Sequence, residues 1–463
     1  MFVKTGDFRT MRINHSPQGG AVAATQRALD NIARWNPVVN AMITVTADRA
    51  LRQAEELDSA AASGAWHGVL HGVTVNLKDN IDLAGVPTTG ASVILKDNVP
   101  ACSAFITERL ERNGAVIMGK ANLHEWVFGP TSQSKHFGPV RNPWNPKHIP
   151  GGSSGGSGAS VASGMAVISI GSDTGGSIRM PASFNGVAGL RPTVGLVSGR
   201  GSLGVSAPFD VLGPLARRVS DVARAFSVIA GYDPEDHIAI DCPVPNCLPT
   251  LNDPVKGMRI GMMRRWYFED IHPDLASAME RAIGVFRDLG AEIVELELGD
   301  VEQAQQMLAF NVVLADGMAV HHAQIEGRET EYGEDILMRL RIGGNVTGPQ
   351  YANSLRWMER WRHRVRGIFR GVDALLSPTT PGPAPAIAGL EFVKAIRALP
   401  RFCAVYPSAR LPSLAVPCGF TADGLPLSLE LAGPEFGESE ILRLGHAFQG
   451  ETDYHLKEPV FTE

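Results

Sequence analysis

The sequence predicts one large α/β domain in which a mixed β-sheet is covered by helices on both faces. Short apolar, β-branched runs alternate with longer helical patterns along most of the 463 residues, which is typical of this class. The composition, 44% hydrophobic and 19% charged, is that of a globular protein with a substantial core. We expect the domain to span residues 1–463, with an N-terminal helical region over 1–65 and a helical, cap-like segment over about 300–371.

The elements are predicted in chain order from periodicity and breakers. Two helices are expected within residues 20–63, separated by a break at Asn36-Pro37. A strand follows within 71–80, then a helix over 101–113 and a strand over 115–120. Beyond residue 192, helices are predicted over 219–231, 274–289, 301–326, 350–370 and 437–449, and strands over 258–263, 291–298, 373–377, 413–417 and 425–432.

Composition and motifs exclude several classes of function. The net charge is −6 and there is no basic tract, so nucleic acid is not an expected partner. No run of about 18 apolar residues is present and the first residues have no apolar leader, so we expect no membrane segment. Five cysteines without a C-x-x-C pair indicate reduced thiols and a cytoplasmic protein. His124-Glu125 lacks the second histidine of H-E-x-x-H, so no metal site is expected.

Residues 150–192 are unusually rich in glycine and serine. Two glycine-serine clusters, 151–157 and 173–179, flank an apolar run over 165–170 that reads as a buried strand. A flexible linker would not contain such a strand. A phosphate-binding loop would require Lys-Ser/Thr after its last glycine, or G-x-G-x-x-G after a strand, and neither occurs. The remaining hypothesis is a serine nucleophile on a turn whose backbone N–H groups form an oxyanion hole.

A candidate base for that serine is Lys78, which ends the apolar run Val73–Leu77. The ordinary alternative is a solvated charge at a strand end. If the preceding strand draws Lys78 into the interior, desolvation favours loss of its proton, and a neutral lysine can act as a general base.

Together these residues resemble the amidase signature family of serine hydrolases, and the resemblance covers nearly the whole chain. It implies a Ser–cis-Ser–Lys triad, with Ser177 as the nucleophile, Ser153 as the bridging serine and Lys78 as the base. Ser177 follows Ser153 by 24 positions, as in the family. The resemblance is strongest at 72–79, 137–144, 150–192, 376–381 and 425–427.

The resemblance also implies the surroundings of the triad. A cis peptide bond would join Gly152 to Ser153, Ser154 would hydrogen-bond near Lys78, and Asp173 and Arg179 would brace the loop. The reaction would proceed through an acyl-enzyme, with no metal or organic cofactor. The oxyanion hole would be formed by the N–H groups of Thr174, Gly175, Gly176 and Ser177.

The family also contains the glutaminase subunit of the tRNA-dependent amidotransferase. The resemblance implies that this subunit holds glutamine with an arginine in the helix matching 350–370 and an acidic residue near the position of Pro407. In this chain Trp361 stands near the place of the arginine, 394–412 contains no Asp or Glu, and Arg410 occupies a position that is usually glycine. We therefore expect a stand-alone amidase for a small apolar or aryl amide, with a homodimer among the expected assemblies.

Three alternatives stay open at this point. They are a carbamate or aryl ester hydrolase, the glutaminase subunit of the amidotransferase, and a binding relative without catalysis, which the intact triad positions disfavour. The segment around 122–129 also has a short resemblance to indoleacetamide hydrolases. The expected pocket residues are Val127, Phe128, Gly129 and Trp361.

Overall fold

The structure, a computed structural model, describes residues 18–460. Its strands are β1 Met42–Val45, β2 Thr74–Lys78, β3 Val116–Ala121, β4 Gln133–Ser134, β5 Gly138–Pro139, β6 Ile168–Asp173, β7 Ala188–Arg191, β8 Val211–Ala216, β9 Arg259–Met262, β10 Glu292–Glu295, β11 Ala374–Pro378, β12 Ser413–Phe420 and β13 Pro426–Ala432. Its α-helices are α1 Gly20–Val39, α2 Ala47–Ala62, α3 Phe105–Arg112, α4 Gly155–Ala162, α5 Arg179–Asn185, α6 Val219–Ile229, α7 Cys247–Thr250, α8 Arg264–Tyr267, α9 Pro273–Asp288, α10 Val301–Gln305, α11 Val313–Ile325, α12 Glu334–Gly344, α13 Gly348–Ile368, α14 Phe392–Ala398, α15 Val405–Ser408 and α16 Glu438–Gly450. A π-helical stretch, Gln306–Val312, joins α10 to α11.

The centre of the fold is one mixed sheet of 11 strands in the order β1-β3-β2-β6-β8-β7-β12-β13-β11-β9-β10. β2 runs parallel to β3 and β6, and β9 runs parallel to β10 and β11. The other neighbours in the sheet are antiparallel. The predicted fold class, a single α/β domain built on a large mixed sheet, is confirmed.

Helices cover both faces of this sheet because successive strand residues point to opposite sides. On β12, Leu414 belongs to the large core that packs α3, α6, α9 and α16 against the sheet. The next residue, Ala415, belongs to a cluster with Val161 of α4 and Ala182 of α5 on the opposite face. The two glycine-serine loops adjoin these last two helices, so they lie together on that second face.

The N-terminal helices differ from their predicted boundary. Ala28, Ile32 and Trp35 are buried on one face of α1, as their spacing predicts. The predicted break at Asn36-Pro37 is wrong, because α1 continues to Val39 and ends at Asn40, which has a left-handed φ of 51° and donates its N–H to the Asn36 carbonyl. Such a cap satisfies a terminal carbonyl. A strand, β1, then separates α1 from α2.

Three strands differ from the sequence prediction for local reasons. β7 and β8 were not predicted, because Gly189, Gly213 and Pro214 interrupt their apolar patterns and both residue types weaken a strand signal. The strand predicted at 165–170 lies at 168–173. This shift places Asp173 at the last position of β6 instead of in the following loop.

The predicted helical segment at about 300–371 contains α10 to α13 and packs over loops at the edge of the second face. Its cluster joins Leu308, Leu314 and Leu340 to Trp126 and Phe128 of the loop after β3. Residues of this segment therefore lie beside the glycine-serine loops.

The remaining expectations from the sequence can be compared with the structure only within residues 18–460. Within residues 18–460 no helix is both long and apolar enough to cross a bilayer. In the same part of the chain, no three His, Cys, Asp or Glu side chains are grouped to hold a metal ion. All five cysteines are free thiols. The expectation about an N-terminal leader falls on residues 1–17, outside the described residues.

Candidate active site

Lys78 ends β2 and lies beside β6, its parallel neighbour. Its side chain is completely buried. Its Nζ lies 2.7 Å from Ser153 Oγ and 2.8 Å from Ser172 Oγ, within hydrogen-bond distance of both hydroxyls. The carboxyl ends of two adjacent strands thus bring one amine and two hydroxyls together.

Burial strongly favours the neutral form of this amine. Desolvation lowers the pKa of Lys78 well below the usual lysine range, and the charges of Asp173 and Asp210 oppose that shift only in part. Within residues 18–460, Lys78 forms no ion pair. Lys120 on the adjacent β3 is equally buried, but its Nζ lies 3.1 Å from Asp79 Oδ1. Of these two lysines, Lys78 is the one whose lone pair can accept a proton from a neighbouring hydroxyl.

Ser153 is held in place through its backbone. The Gly152–Ser153 peptide bond is cis, and His124 donates its N–H to the Ser153 carbonyl over 2.9 Å. A Cβ at position 152 would lie 2.7 Å from the Gly129 carbonyl oxygen, so glycine is required there. Ser154, the next residue, begins α4 as its N-cap.

Ser177 lies on the loop between β6 and α5. The Ser154 N–H donates to the Ser177 carbonyl over 3.2 Å, which places Ser153 and Ser177 on adjoining backbones. Ser177 is partly exposed, and within residues 18–460 its hydroxyl makes no hydrogen bond. An unengaged hydroxyl on an accessible loop is available to a substrate.

The loop around Ser177 is folded by the carboxylate of Asp173. This side chain accepts the N–H of Gly176 at 2.8 Å and the N–H of Ile178 at 3.0 Å. The Gly176 N–H is therefore occupied, which differs from the expectation that four N–H groups face an oxyanion. Among the described residues no acceptor takes the N–H groups of the other three, Thr174, Gly175 and Ser177.

Asp173 is itself the centre of a buried ionic network. Although burial would raise the pKa of its carboxyl, Arg179 and Arg191 hold that pKa well below the usual range. Arg179 Nε lies 3.1 Å from Asp173, and Arg179 Nη1 lies 2.6 Å from Glu430 Oε1 on β13. Arg191 and Glu430 were missed by the sequence analysis. A charged residue inside an apolar strand such as β13 is the signal that points to Glu430.

Ser154, which is expected to hydrogen-bond near Lys78, bonds Ser172, the neighbour of the amine, and not the amine itself. The Ser154 hydroxyl donates to the Ser172 carbonyl over 3.1 Å, because Ser154 already belongs to the start of α4. Ser172 takes the expected place beside the amine, since β6 extends to Asp173 alongside β2.

A cavity opens in front of Ser177, and three of the four predicted pocket residues line it. They are Val127, Phe128 and Gly129. Val127 has a left-handed φ of 54°, which is rare for a β-branched residue and frequent at functional sites. The remaining wall residues are mostly apolar. They come largely from the segments 309–313 and 396–400 and from position 339, together with Thr174, Gly175, Met180 and Val205.

The fourth predicted pocket residue, Trp361, does not line the cavity. It is 1% exposed and stacks on Trp357 at a centroid distance of 5.3 Å. It belongs to a separate core with Tyr267 and Phe402, because α13 turns this face toward the sheet edge. Arg339 of α12 is in the cavity wall instead, and no sequence pattern distinguished it from the other arginines of the segment.

Comparisons with known proteins agree with this geometry. The family model described as Amidase matches residues 23–442. The chain is 38% identical to a glutamyl-tRNA(Gln) amidotransferase subunit of Geobacter sp. (strain M21), over 94% of this chain and 95% of that protein.

Two solved structures share the whole fold. A chain from the vestigial protein complex that reveals the evolutionary origins of an s-triazine catabolic enzyme superposes with a TM-score of 0.88 at 32% identity, covering 93% of this chain and 95% of that one. The native peptide amidase of Stenotrophomonas maltophilia superposes with a TM-score of 0.80 at 29% identity, covering 96% of both chains.

Proposed function

The chain belongs to the amidase family, which makes it an amidohydrolase acting on carbon–nitrogen bonds, and from that premise we propose that it cleaves a small carboxylic amide through an acyl-enzyme on Ser177. The observation that carries the proposal is the buried, unpaired Lys78 at 2.7 Å from Ser153 Oγ, beside a Ser177 that faces the cavity. A serine hydroxyl is a weak nucleophile until a neighbouring base removes its proton, and Lys78 is positioned to be that base through Ser153.

In the acylation step, Ser177 Oγ attacks the amide carbonyl carbon. Its proton passes to Ser153, while the proton of Ser153 passes to neutral Lys78. The carbonyl oxygen becomes an oxyanion near the free N–H groups of Thr174, Gly175 and Ser177, whose fixed dipoles stabilise the developing charge. The Gly176 N–H contributes indirectly, because its bond to Asp173 holds the turn in shape.

Collapse of the tetrahedral intermediate breaks the carbon–nitrogen bond. The leaving amine takes a proton that returns from Lys78 through Ser153, so ammonia or an amine departs neutral. A water then attacks the acyl-enzyme, with the same relay accepting its proton, and the carboxylic acid is released. The residues named here complete the cycle without a metal or cofactor, and the same steps would cleave a carbamate or an aryl ester.

The cavity favours a substrate with an apolar or aryl body. Its walls include Phe128, Met180, Phe310 and Ile396, and the helical segment over about 300–371 closes one side in the manner of a cap. Burial of apolar substrate surface against these side chains is favourable by roughly 25 cal/mol per Å².

A second candidate function is the glutaminase subunit of a tRNA-dependent amidotransferase. It is favoured by the 38% identity to a glutamyl-tRNA(Gln) amidotransferase subunit over nearly the full chain. Glutamine carries an α-ammonium group, however, and no Asp or Glu lines the cavity within residues 18–460. The stand-alone amidase therefore remains the proposal that the geometry supports best.

The proposed function is tested by labelling and turnover with one variant. Purified chain should react stoichiometrically with a fluorophosphonate at Ser177, located by peptide mass spectrometry, and should release ammonia from simple amides. Ser177→Ala should lose both, with turnover reduced on the order of 10⁴-fold or more, while its circular dichroism stays unchanged. Ser227→Ala on α6, whose hydroxyl only caps the Arg224 carbonyl, is the matched control. Full activity in Ser177→Ala would assign the nucleophile elsewhere.

A further inference from the structure

The imidazole ring of His124 lies between the active-site loops and α12. The ring is buried, with 1% of its side chain exposed. Its Nδ1 accepts the N–H of Ser132 at 3.0 Å, and its Nε2 lies 2.7 Å from Asp335 Oδ2 in the first turn of α12. The backbone N–H of the same residue donates to the Ser153 carbonyl. One histidine therefore contacts two loops of the active site and a helix of the cap-like segment.

These hydrogen bonds fix which nitrogen of the ring carries the proton. A backbone N–H can only donate, so Nδ1, which accepts the N–H of Ser132, holds no proton. The single proton of the ring is therefore on Nε2 and is donated to Asp335. Although burial would raise the pKa of the Asp335 carboxyl, the hydrogen bond from His124 lowers that pKa below its ordinary value, so the acceptor is an ionised carboxylate. The ring cannot turn without breaking a bond at each nitrogen.

The loop that forms part of the cavity wall is folded over this ring. A Cβ at position 129 would lie 2.1 Å from His124 Nε2, so the backbone of Gly129 passes directly beside the imidazole. The same loop abuts Gly152, where a Cβ would lie 2.7 Å from the Gly129 carbonyl oxygen and 2.8 Å from the Thr131 nitrogen. Because these groups are close-packed, a shift of the ring would move both the cavity wall and the peptide bond that carries Ser153.

The start of α12 is docked on this histidine and on its neighbour. Glu125 Oε2 accepts the N–H of Gly333, the N-cap of α12, at 2.8 Å. One turn after Asp335 on the same helix, Arg339 reaches the wall of the cavity. Loss of the bond between His124 and Asp335 would therefore loosen the helix that closes this side of the cavity.

We propose that His124 is a positioning residue for the hydrolysis and that its two ring nitrogens serve different steps. Nδ1 supports the loop beside Ser153 and so maintains the rate of acylation. Nε2 holds α12 in place and so maintains substrate binding. The inference rests on the proposed function of Ser177.

Two variants remove the ring contacts one at a time, because the oxygen of Asn can replace Nδ1 and the nitrogen of Gln can replace Nε2. His124→Asn keeps an acceptor for Ser132 and loses the bond to Asp335, so KM should rise by about 3- to 10-fold with little change in kcat. His124→Gln keeps a donor to Asp335 and leaves the buried Ser132 N–H without an acceptor, so kcat should fall by about 10- to 100-fold. A purely structural histidine would destabilise both variants without separating kcat from KM. Wild-type kinetics in both variants, or equal changes in both constants, would overturn the proposal.

Variants of Asp335 test the contact from the side of α12. Asp335→Ala should raise KM as His124→Asn does, and Asp335→Asn, which keeps an acceptor for the Nε2 proton, should raise it less. Glu334→Ala is the matched control, because Glu334 has the same charge in the same first turn but is exposed, and it should leave KM unchanged. If Asp335→Asn were as harmful as Asp335→Ala, the partner would be an imidazolium and the proposal would fail.

The tautomer can be measured independently of turnover. Nitrogen NMR on protein labelled in its histidine rings, with the signals assigned from the spectrum of His124→Gln, should show a protonated Nε2 and an unprotonated Nδ1 at pH 7. A proton on Nδ1 would overturn the proposal whether or not amides are hydrolysed. If the tautomer is as expected but no amide is hydrolysed and Ser177 is not labelled by a fluorophosphonate, the proposed function fails and the positioning role fails with it. If amides are hydrolysed and His124→Gln keeps the wild-type kcat, the proposed function stands and only the positioning role fails.

Discussion

At the scale of single residues, Lys78 and Lys120 show how one contact separates a candidate base from a structural charge. Both are fully buried on adjacent parallel strands, and only Lys120 has a carboxylate at 3.1 Å. Burial lowers the pKa of both amines, but at Lys120 the contact with the Asp79 carboxylate opposes that shift. Lys78 faces hydroxyls instead and is therefore suited to proton transfer.

This difference gives a prediction for Lys78. Because the base must be neutral, acylation should rise with pH as Lys78 loses its proton and then reach a plateau. Lys78→Arg cannot be deprotonated and should be as damaging as Lys78→Ala, each reducing single-turnover acylation by about 10²- to 10⁴-fold. Lys147→Arg on the exposed surface is the control. An active Lys78→Arg enzyme would remove lysine from the mechanism.

Ser172 gives a second prediction as a positioning residue. Its Oγ lies 2.8 Å from Lys78 Nζ and directs one N–H, so that the lone pair of the neutral amine faces Ser153. Ser172→Ala should lower kcat/KM by about 3- to 10-fold, the value of one hydrogen bond. It should also move the acidic limb of the pH–rate profile to lower pH, since the ammonium form loses an acceptor. Ser172→Thr should restore both, whereas a purely structural role would leave the limb unmoved.

Among the candidate active-site residues, those that lie in recognisable local sequence patterns could be predicted from the sequence. Lys78 ends an apolar strand, and Ser153 and Ser177 lie in glycine-rich motifs. Ser172 was missed because its role depends on where β6 ends. Glu430 was missed because its contact with Arg179 joins residues 251 positions apart, which no local pattern contains.

At the scale of secondary-structure elements, the position of α4 depends on the glycines at its first residues, because a side chain there would clash with neighbouring backbone. The Gly156 N–H donates to the Asn122 carbonyl at 3.0 Å, and a Cβ there would lie 2.3 Å from the Asn122 oxygen and 2.5 Å from the Ala41 oxygen. Both obstacles are backbone, so neither can rotate away. The helix that follows Ser153 thus sits directly on the neighbouring loop and on the residue before β1.

We therefore predict that Gly156→Ala destabilises the protein by about 1–3 kcal/mol or more and lowers kcat/KM, because the start of α4 must move and Ser153 with it. Gly284→Ala is the matched control, since no atom lies within 4 Å of a Cβ at that position in the interior of α9. It should raise stability by about 1 kcal/mol through helix propensity. Denaturant unfolding checks both values, and equal effects in the two variants would contradict the packing explanation.

Elements with continuous β-branched runs, such as β2 and β3, were predicted from the sequence within a few residues. The prediction failed where glycine or proline interrupts a buried strand, as in β7 and β8, and where a helix persists through a proline in its last turn, as in α1. In each case tertiary neighbours supply hydrogen bonds or burial that a local window does not show.

At the scale of the whole molecule, the Asp173 network ties β6, α5, β7 and β13 together. We predict that Asp173→Asn lowers the free energy of unfolding by about 3–5 kcal/mol at pH 7, because it leaves Arg179 and Arg191 partly uncompensated in the interior. The folded-state pKa of Asp173 lies below its unfolded value, so its stabilisation is present above the unfolded pKa and lost as pH falls. The difference between wild type and Asp173→Asn should accordingly shrink in acid, as denaturant titrations at pH 7 and pH 3 would show. A difference that is constant with pH would contradict the ionic role.

The second whole-molecule prediction concerns partners. Because the cavity is closed by the chain's own helical segment, the purified chain should hydrolyse amides without a second subunit or tRNA. Gel filtration with light scattering, run beside the activity assay, gives the assembly state and tests the expected homodimer. Activity that appears only when a further protein component is added, with glutamine preferred, would favour the amidotransferase candidate.

The order of strands in the sheet has a consequence for synthesis on the ribosome. β12 and β13, near the end of the described chain, lie between β7 and β11 in the middle of the sheet. A nascent chain that has emerged only as far as β11 can therefore form two separate half-sheets, one ending at β7 and the other at β11, and each has an unpaired edge strand. Such a chain also lacks Glu430, the ion-pair partner of Arg179. Unpaired edges invite association with other chains, so this gap is the stage at which a chaperone would act. Once β12 and β13 have been synthesised, they pair between β7 and β11 and join the two half-sheets. The active hydrolase is therefore complete only after these strands have been translated.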